Sequence, residues 1–393
     1  MSYPLISETA LKTVIKGNAY EPHYPFNSSV DLYDIHQFTN GHPFDTYDEL
    51  REKSPIYFQD PPEWDVEPGA WMLTSYKDIM EVSSNPSVFS SQAATGNLIT
   101  LGDPETRHPK LWQTSIDHML NLDGSFHLDL RREHMPFFKP GYVDDLHKKV
   151  EIKIETLLDA IAKVGKSNLV KDLSQQIPIF TLSEILGIPE EDRHKLATWM
   201  EFLELAQYFS AENTKQAQGK SEEMEVDTSM IELFENMIGE MFEYGKHILQ
   251  EKRLNPKDDL LSAIANAELD GAKLSQEYLD GSWLLIIFAG NDTTRNSISG
   301  AIKLLTEFPE QKKKLINNLE LLPNFAQETI RMISPVIHMR RTTTCETKLG
   351  NQRLGKDEKI IMWYGAANRD PSIFSNPNMF DLSLIHISEP TRP

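Results

Sequence analysis

The sequence predicts a mostly α-helical fold with a minor β part, gathered around one large core. Three observations carry this. Leu146, Val150, Ile154, Leu157, Leu158 and Ile161 recur at helical spacing between Asp144 and Val164. Gln276 to Glu307 reads as one long helix around the apolar run Trp283–Gly290. The β signals are short by comparison: Ile56-Tyr57-Phe58 and Ala70-Trp71-Met72-Leu73 flank an acidic, Pro-rich turn, and Cys345 to Ile361 reads as short strands with turns at Gly350 and Gly355.

The remaining elements follow in order. Residues 1–30 are rich in Pro and Tyr without periodicity and read as an extended arm. Phe44 to Ser54 is a short helix that stops before Pro55, and Ser75 is an N-cap for a helix reaching Ser83. Gln216 to Asp227 is a polar, acidic connection between helices, and Asn255 to Asp259 is a break before another. Helices continue to Ser334, where Pro335 forces its predecessor into extended geometry. No internal repeat is visible.

Composition excludes several function classes. The 393 residues hold 39 Lys+Arg against 59 Asp+Glu, a net charge of −20, so a nucleic-acid partner, which needs a basic face, is not expected. The single cysteine, Cys345, rules out an intrachain disulfide and a multi-Cys zinc site. The apolar run Trp283–Gly290 is far shorter than the roughly 20 residues a bilayer span requires. The N-terminal stretch lacks the apolar centre of a secretory signal, so a cytoplasmic location is expected.

Four groups of residues carry possible chemistry. Within Gln276–Glu307, Ile286, Ala289, Gly290 and Thr293 share a helix face beside Asp292. A mid-helix glycine costs about 1 kcal/mol relative to alanine, which a close ligand explains; tight helix packing with Thr293 bonded to a carbonyl explains it equally simply. Glu328 and Arg331 are three apart and can pair, buried or exposed. His127 and Arg131 put two donors on one helical side, suited to an anionic ligand or to a solvated basic turn. In Pro335–Thr342 an extended chain sends Arg340 and Arg341 to opposite faces, so one can point inward to an anion.

In this order the four groups resemble a soluble, bacterial-type cytochrome P450 from about Phe44 to Asp381. MLNLDGSFHLDLRREHMPFFKP is similar to the family's haem-facing helix, IIFAGNDTTRNSISG to its oxygen-binding helix, and ETIRMISPVIHMRRT to the helix and strand that follow. WYGAANRDPSIFSNPNMFD resembles the stretch leading to the haem-ligand loop. The wording is most similar to alkane and fatty-acid terminal hydroxylases and steroid side-chain hydroxylases. The resemblance implies haem b as cofactor, dioxygen and a hydrophobic small molecule as substrates, and a ferredoxin-type electron donor. It implies that His127, Arg131 and Arg341 bind haem propionates, that Ala289 and Gly290 leave space for dioxygen, and that Asp292 and Thr293 are the acid–alcohol pair that delivers protons. Glu328 and Arg331 would brace the ligand loop, with Met379 where some relatives carry a third bracing arginine. Leu98, Leu101, Ile286, Val336, Ile337 and Met339 would line the substrate pocket, or serve as ordinary core.

The resemblance also implies an axial cysteine in a Phe-x-x-Gly-x-x-x-Cys-x-Gly loop, and no such loop follows Phe380-Asp381. Cys345 lies too early, just after Arg341, and is expected to be an inert, buried or partly buried thiol. Residues 382–393 (LSLIHISEPTRP) resemble a translated sequencing adapter. The expectation is therefore a family domain over 1–381, incomplete and inactive as written, followed by a non-native tail. The alternative is an apolar-ligand binder without haem.

Overall fold

The structure is a computed structural model, and it describes residues 18–24, 30–60, 69–92, 110, 114, 117–203, 228–269 and 271–384. Along the chain, helix α1 (Phe44–Lys53) leads into β1 (Ile56–Gln59) and β2 (Ala70–Leu73). Helix α2 (Tyr76–Ser83) is capped by the Ser75 hydroxyl, which accepts from the Asp78 N–H at 3.1 Å, and β3 (Phe89–Ser90) follows. Helix α3 (Gly124–His134) runs into a 3₁₀ turn at Met135–Phe138. Helix α4 (Pro140–Val164) starts on a proline, whose fixed φ suits the first turn, and ends at Gly165 in the left-handed region (φ 71). After α5 (Gln176–Leu186) come a helical stretch over 193–203, then α6 (Thr228–Leu254) and α7 (Leu260–Asn266). A hairpin of β4 (Glu268–Leu269) and β5 (Ala272–Lys273) precedes the long α8 (Gln276–Glu307). Helices α9 (Pro309–Asn317) and α10 (Leu322–Ile333) follow, then β6 (His338–Thr343), β7 (Thr347–Leu349), β8 (Gln352–Leu354) and β9 (Lys359–Trp363).

Two compact units emerge where the sequence predicts one core. The first holds the described residues within 102–295. Its interior is aromatic: Trp283 of α8 packs within 6.1 Å of Trp199 and 5.9 Å of Tyr244, and its indole N–H donates to the Met241 carbonyl at 3.0 Å. Gly245 permits this approach, since a Cβ there would collide with the indole. A buried ion pair ties three helices: the Lys252 ammonium of α6 contacts Asp259, which caps α7, and donates to the Gly187 carbonyl at the end of α5 at 3.1 Å. Such a pair offsets its desolvation through added hydrogen bonds, here to the Gly187 carbonyl and from the Ser262 N–H to Asp259 Oδ1 at 2.8 Å.

The second unit holds the described residues within 8–101 and 296–393. Its five-stranded sheet has the order β1-β2-β9-β6-β3; only β2 and β9 run parallel. Both faces are covered. Trp71, Leu73, Ile360 and Met362 face one apolar layer, and Met72, Ile361 and Trp363 face the other with Tyr33 and Tyr47. Among the described residues no helix is long and apolar enough to cross a membrane.

Candidate active site

In the first unit, helix α8 changes character along its length. From Tyr278 to Leu284 every residue is buried, but Phe288 (45% exposed) and Ala289 face outward, with Ile286, Gly290, Asp292 and Thr293 half-buried. Phe288 and Ala289 thus form a short exposed apolar step shortly after the buried stretch of the helix. Phe288 escaped the sequence reading because the apolar run around it gives no sign of which residue faces out. The Thr293 hydroxyl donates to the Ala289 carbonyl at 3.3 Å, and the Asp292 carboxylate pairs with the Arg295 guanidinium one turn on. At Gly290 the helix-packing reading applies. A Cβ there would meet Leu182 Cδ1 of α5 at 3.0 Å, so this glycine makes room for helix packing on that side.

Helix α3 places His127 and Arg131 one turn apart, with Arg131 exposed and His127 half-buried. Exposed Leu128, Met135 and Phe138 flank them in sequence. His134, at the end of the helix, is buried, and burial pushes its imidazole down to about 4.

In the second unit, Glu328 and Arg331 on α10 are paired and buried, which resolves the alternatives the sequence left open. The Arg331 Nε and Nη2 donate to the two Glu328 oxygens at 2.7 Å each. Nη1 donates to the carbonyls of Asn368 (2.9 Å) and Pro377 (2.7 Å), and Nη2 also to Met379 (2.9 Å). All five N–H bonds of the guanidinium are thereby used. Glu328 also accepts the Asp381 N–H at 2.9 Å. Met379 contributes only its carbonyl. A second guanidinium arrives instead from Arg369, which donates to Pro377 O and Met332 O at 3.0 Å each and lies 4.6 Å over the Phe44 ring. Burial and the nearby Arg331 lower Arg369 to about 10. Its neighbours are tied as well: Asn368 donates to Ser334 Oγ at 2.8 Å, and Asp370 accepts the Tyr76 N–H at 2.8 Å. Sequence spacing cannot show these bonds, because each joins residues distant in the chain.

Strand β6 resolves its two arginines. Arg340 is opposite Ile361 and fully buried on the Tyr33 side of the sheet, and burial lowers it to about 9. Arg341, opposite Ile360, is half-buried and donates to the Arg340 carbonyl at 3.0 Å. Arg340 is therefore enclosed on the Tyr33 side, and Arg341, on the Ile360 side, is the one left accessible to an anion, a choice that alternation alone could not make. Of the expected pocket residues, Val336 and Met339 pack against the sheet's apolar layer, Ile337 is exposed, and Leu98 and Leu101 lie outside the described residues. Cys345 is exposed in the turn after β6, not buried as expected, because Thr344 and Glu346 carry the chain out of the sheet at that point.

A haem presents two carboxylates, an apolar macrocycle and an iron that needs an axial donor. The cations and exposed apolar side chains of α3 suit the first two. The third has no match here: the one thiol of the sequence is exposed in the connection between β6 and β7. The residues therefore fit the periphery of a haem and not its iron.

Comparison with known proteins places the chain in a family. The family model for cytochrome P450 matches residues 87–383. Linalool 8-monooxygenase of Pseudomonas putida is 30% identical over 354 residues, covering 90% of this chain and 82% of that protein. Steroid C26-monooxygenase of Rhodococcus jostii is 27% identical, covering 92% and 72%. Among solved structures, a Mycobacterium marinum cytochrome P450, CYP268A2, in complex with pseudoionone is 28% identical with a TM-score of 0.76, covering 93% of this chain and 85% of that one. The family-model match and the 30% identity to a curated relative, together with the mostly helical fold and its small sheet, identify the chain as a member of the cytochrome P450 family of haem-dependent monooxygenases.

Proposed function

We propose that the protein carrying this chain hydroxylates a hydrophobic small molecule (a fatty acid, alkane, terpene or steroid) in the cytoplasm, with haem b, dioxygen and two electrons from a ferredoxin-type donor. The exposed pair Phe288 and Ala289, set shortly before Asp292 and Thr293 on a helix whose Tyr278–Leu284 stretch is fully buried, is the observation that carries this reading. Haem, when bound, supplies the oxygen-activating redox chemistry. His127, Arg131 and Arg341 hold its acid groups through charge-assisted hydrogen bonds. Ala289 keeps side-chain bulk away from dioxygen. Asp292 takes a proton from the solvent side and passes it toward a water held by the Thr293 hydroxyl, which is positioned proton delivery rather than nucleophilic attack. Ile286 and Phe288 give the substrate apolar contacts, which suit a hydrocarbon.

The axial cysteine belongs, in this reading, to a Phe-x-x-Gly-x-x-x-Cys-x-Gly loop in the native frame beyond Asp381, and residues 382–393 are an adapter-derived tail. The chain as written then has no monooxygenase activity. Reading the gene past Asp381 tests this: the loop is expected, and an immediate stop codon contradicts it. Titrating the extended, haem-loaded protein with terpenes, sterols and fatty acids should give a low-to-high-spin shift with one of these classes; no shift with any sinks the substrate assignment.

A further inference from the structure

We infer that Gln352, Gly355 and Glu358 form a receptor site for an extended segment, occupied by residues 18–24, and that the N-terminal arm is a releasable strap on the second unit. The strap is defined within that unit alone and does not depend on haem. A segment that belongs to a core buries its own side chains. Residues 30–33 do so: Val30, Leu32 and Tyr33 are buried in the apolar layer of Met72 and Ile361, and the Gln59 side chain accepts the Leu32 N–H at 3.0 Å. Residues 18–24 are the opposite case. Each is exposed or half-buried, with Tyr24 resting on the sheet's other apolar layer, whereas Gln352 and Glu358, which bind them, are both 1% exposed.

The Glu358 carboxylate accepts the Ala19 N–H with one oxygen and the Trp71 indole N–H with the other, the latter at 2.7 Å. The Gln352 side chain accepts the His23 N–H at 2.6 Å and donates to the Glu21 carbonyl at 3.3 Å. Gly355 completes the seat, because a Cβ there would lie 2.6 Å from the Ala19 Cβ. On the outer side the Arg353 guanidinium lies 4.0 Å over the Tyr20 ring and donates to its hydroxyl at 2.9 Å, and that hydroxyl donates to Glu346. The body thus reads the arm's backbone at 19, 21 and 23, alternate residues of an extended chain, which lie on one side of it. A segment held by hydrogen bonds with little apolar burial opens at low free energy, separately from the core beneath it. Opening takes one of the two donors from the buried Glu358 carboxylate, and an underpaired buried carboxylate favours re-docking. The strap therefore closes and opens as one piece, because each of its anchors holds the same short backbone.

Native-state hydrogen exchange on the full chain, read at single residues by fragmentation in the mass spectrometer, tests this. In the wild type the Ala19 and His23 amides should be protected about tenfold or more, and the amides of β2 and β9 at least about a hundredfold further. Q352A removes the acceptor of the His23 N–H, and H23P removes that donor from the arm and leaves the receptor untouched. Neither variant touches the Ala19 bond, yet in both the Ala19 amide should exchange about fivefold faster or more, with β2 and β9 as in the wild type. If Q352A does not fold, H23P, altered only in the exposed arm, carries the test. Ala19 exchange unchanged in H23P overturns the inference, since the anchors would then act singly and hold no strap. Ala19 as slow as β2 and β9 in the wild type overturns it too, by making the arm part of the core, and so does an Ala19 amide without protection.

Discussion

Consider the variant R331A. Arg331 and Glu328 are both fully buried, and the guanidinium fills both carboxylate oxygens and three backbone carbonyls. Removing one partner of a buried pair leaves an uncompensated charge, at a cost of about 3–5 kcal/mol. Glu328 keeps only the Asp381 N–H among the bonds described above. Pro377 O retains the Arg369 donor, so two carbonyls, Asn368 and Met379, lose theirs; each orphan adds about 1–3 kcal/mol. These terms overlap, and about 5 kcal/mol is the expected sum, a large share of the roughly 5–15 kcal/mol by which domains are stable. Lysine cannot substitute, because its three donors sit on one atom and cannot span a carboxylate and three carbonyls. Native-state hydrogen exchange of peptides covering Tyr364–Leu382 should report the loss as opening faster by roughly three to four decades in R331A, and by one to two decades (~2 kcal/mol) in R331K. Exchange within tenfold of wild type in R331A would refute the reasoning, since the pair would then be bracing nothing.

Four further outcomes follow from named contacts. K252M leaves Asp259 buried without its cation and should cost about 3–5 kcal/mol in urea unfolding of the first unit, whereas K252M/D259L should recover much of it. His134 titrates near 4 when folded and near 6.5 when unfolded, so the unfolded chain binds the extra proton between these values. Its contribution of about 3 kcal/mol is therefore intact above pH 6.5 and lost as pH falls toward 4; H134Q should flatten that slope in a pH series of unfolding midpoints. G281A drives a Cβ into the Asp117 carbonyl, which is backbone and cannot swing aside, so a loss of about 2 kcal/mol or more is expected by thermal melting. Cys345 should react at once with a thiol reagent in the folded chain, one equivalent per chain, as its exposure requires.

Periodicity made the helices readable and left the tertiary choices hidden. The long helix runs from Gln276 to Glu307 as its pattern predicts, and strand Ala70–Leu73 matches as well. Helix α4 begins at Pro140, four residues before its apolar stripe, because proline suits the first turn without contributing to the stripe. The pairing of Glu328 with Arg331 was visible as spacing, but its burial came from Phe374, Asn368 and the 377–381 segment, all contributed by residues far along the chain. Strand alternation showed that Arg340 and Arg341 diverge, and only the covered Tyr33 face of the sheet decides which one is inside. Gly290 read equally well as ligand clearance or as helix packing until Leu182 was seen against it. Arg369 and Lys252 were hidden as partners for a related reason: Asp259 lies seven residues on but past the end of the Lys252 helix, and Arg369 meets the Met332 carbonyl far back in the chain.

The most direct test is the carbon monoxide difference spectrum of the reduced protein, recorded after haem addition for two polypeptides, this chain and its extension through the native reading frame. The account predicts a thiolate-type Soret band in the extended protein alone, with the shorter chain showing none. A thiolate band from the shorter chain, whose one thiol is the exposed Cys345, would contradict it.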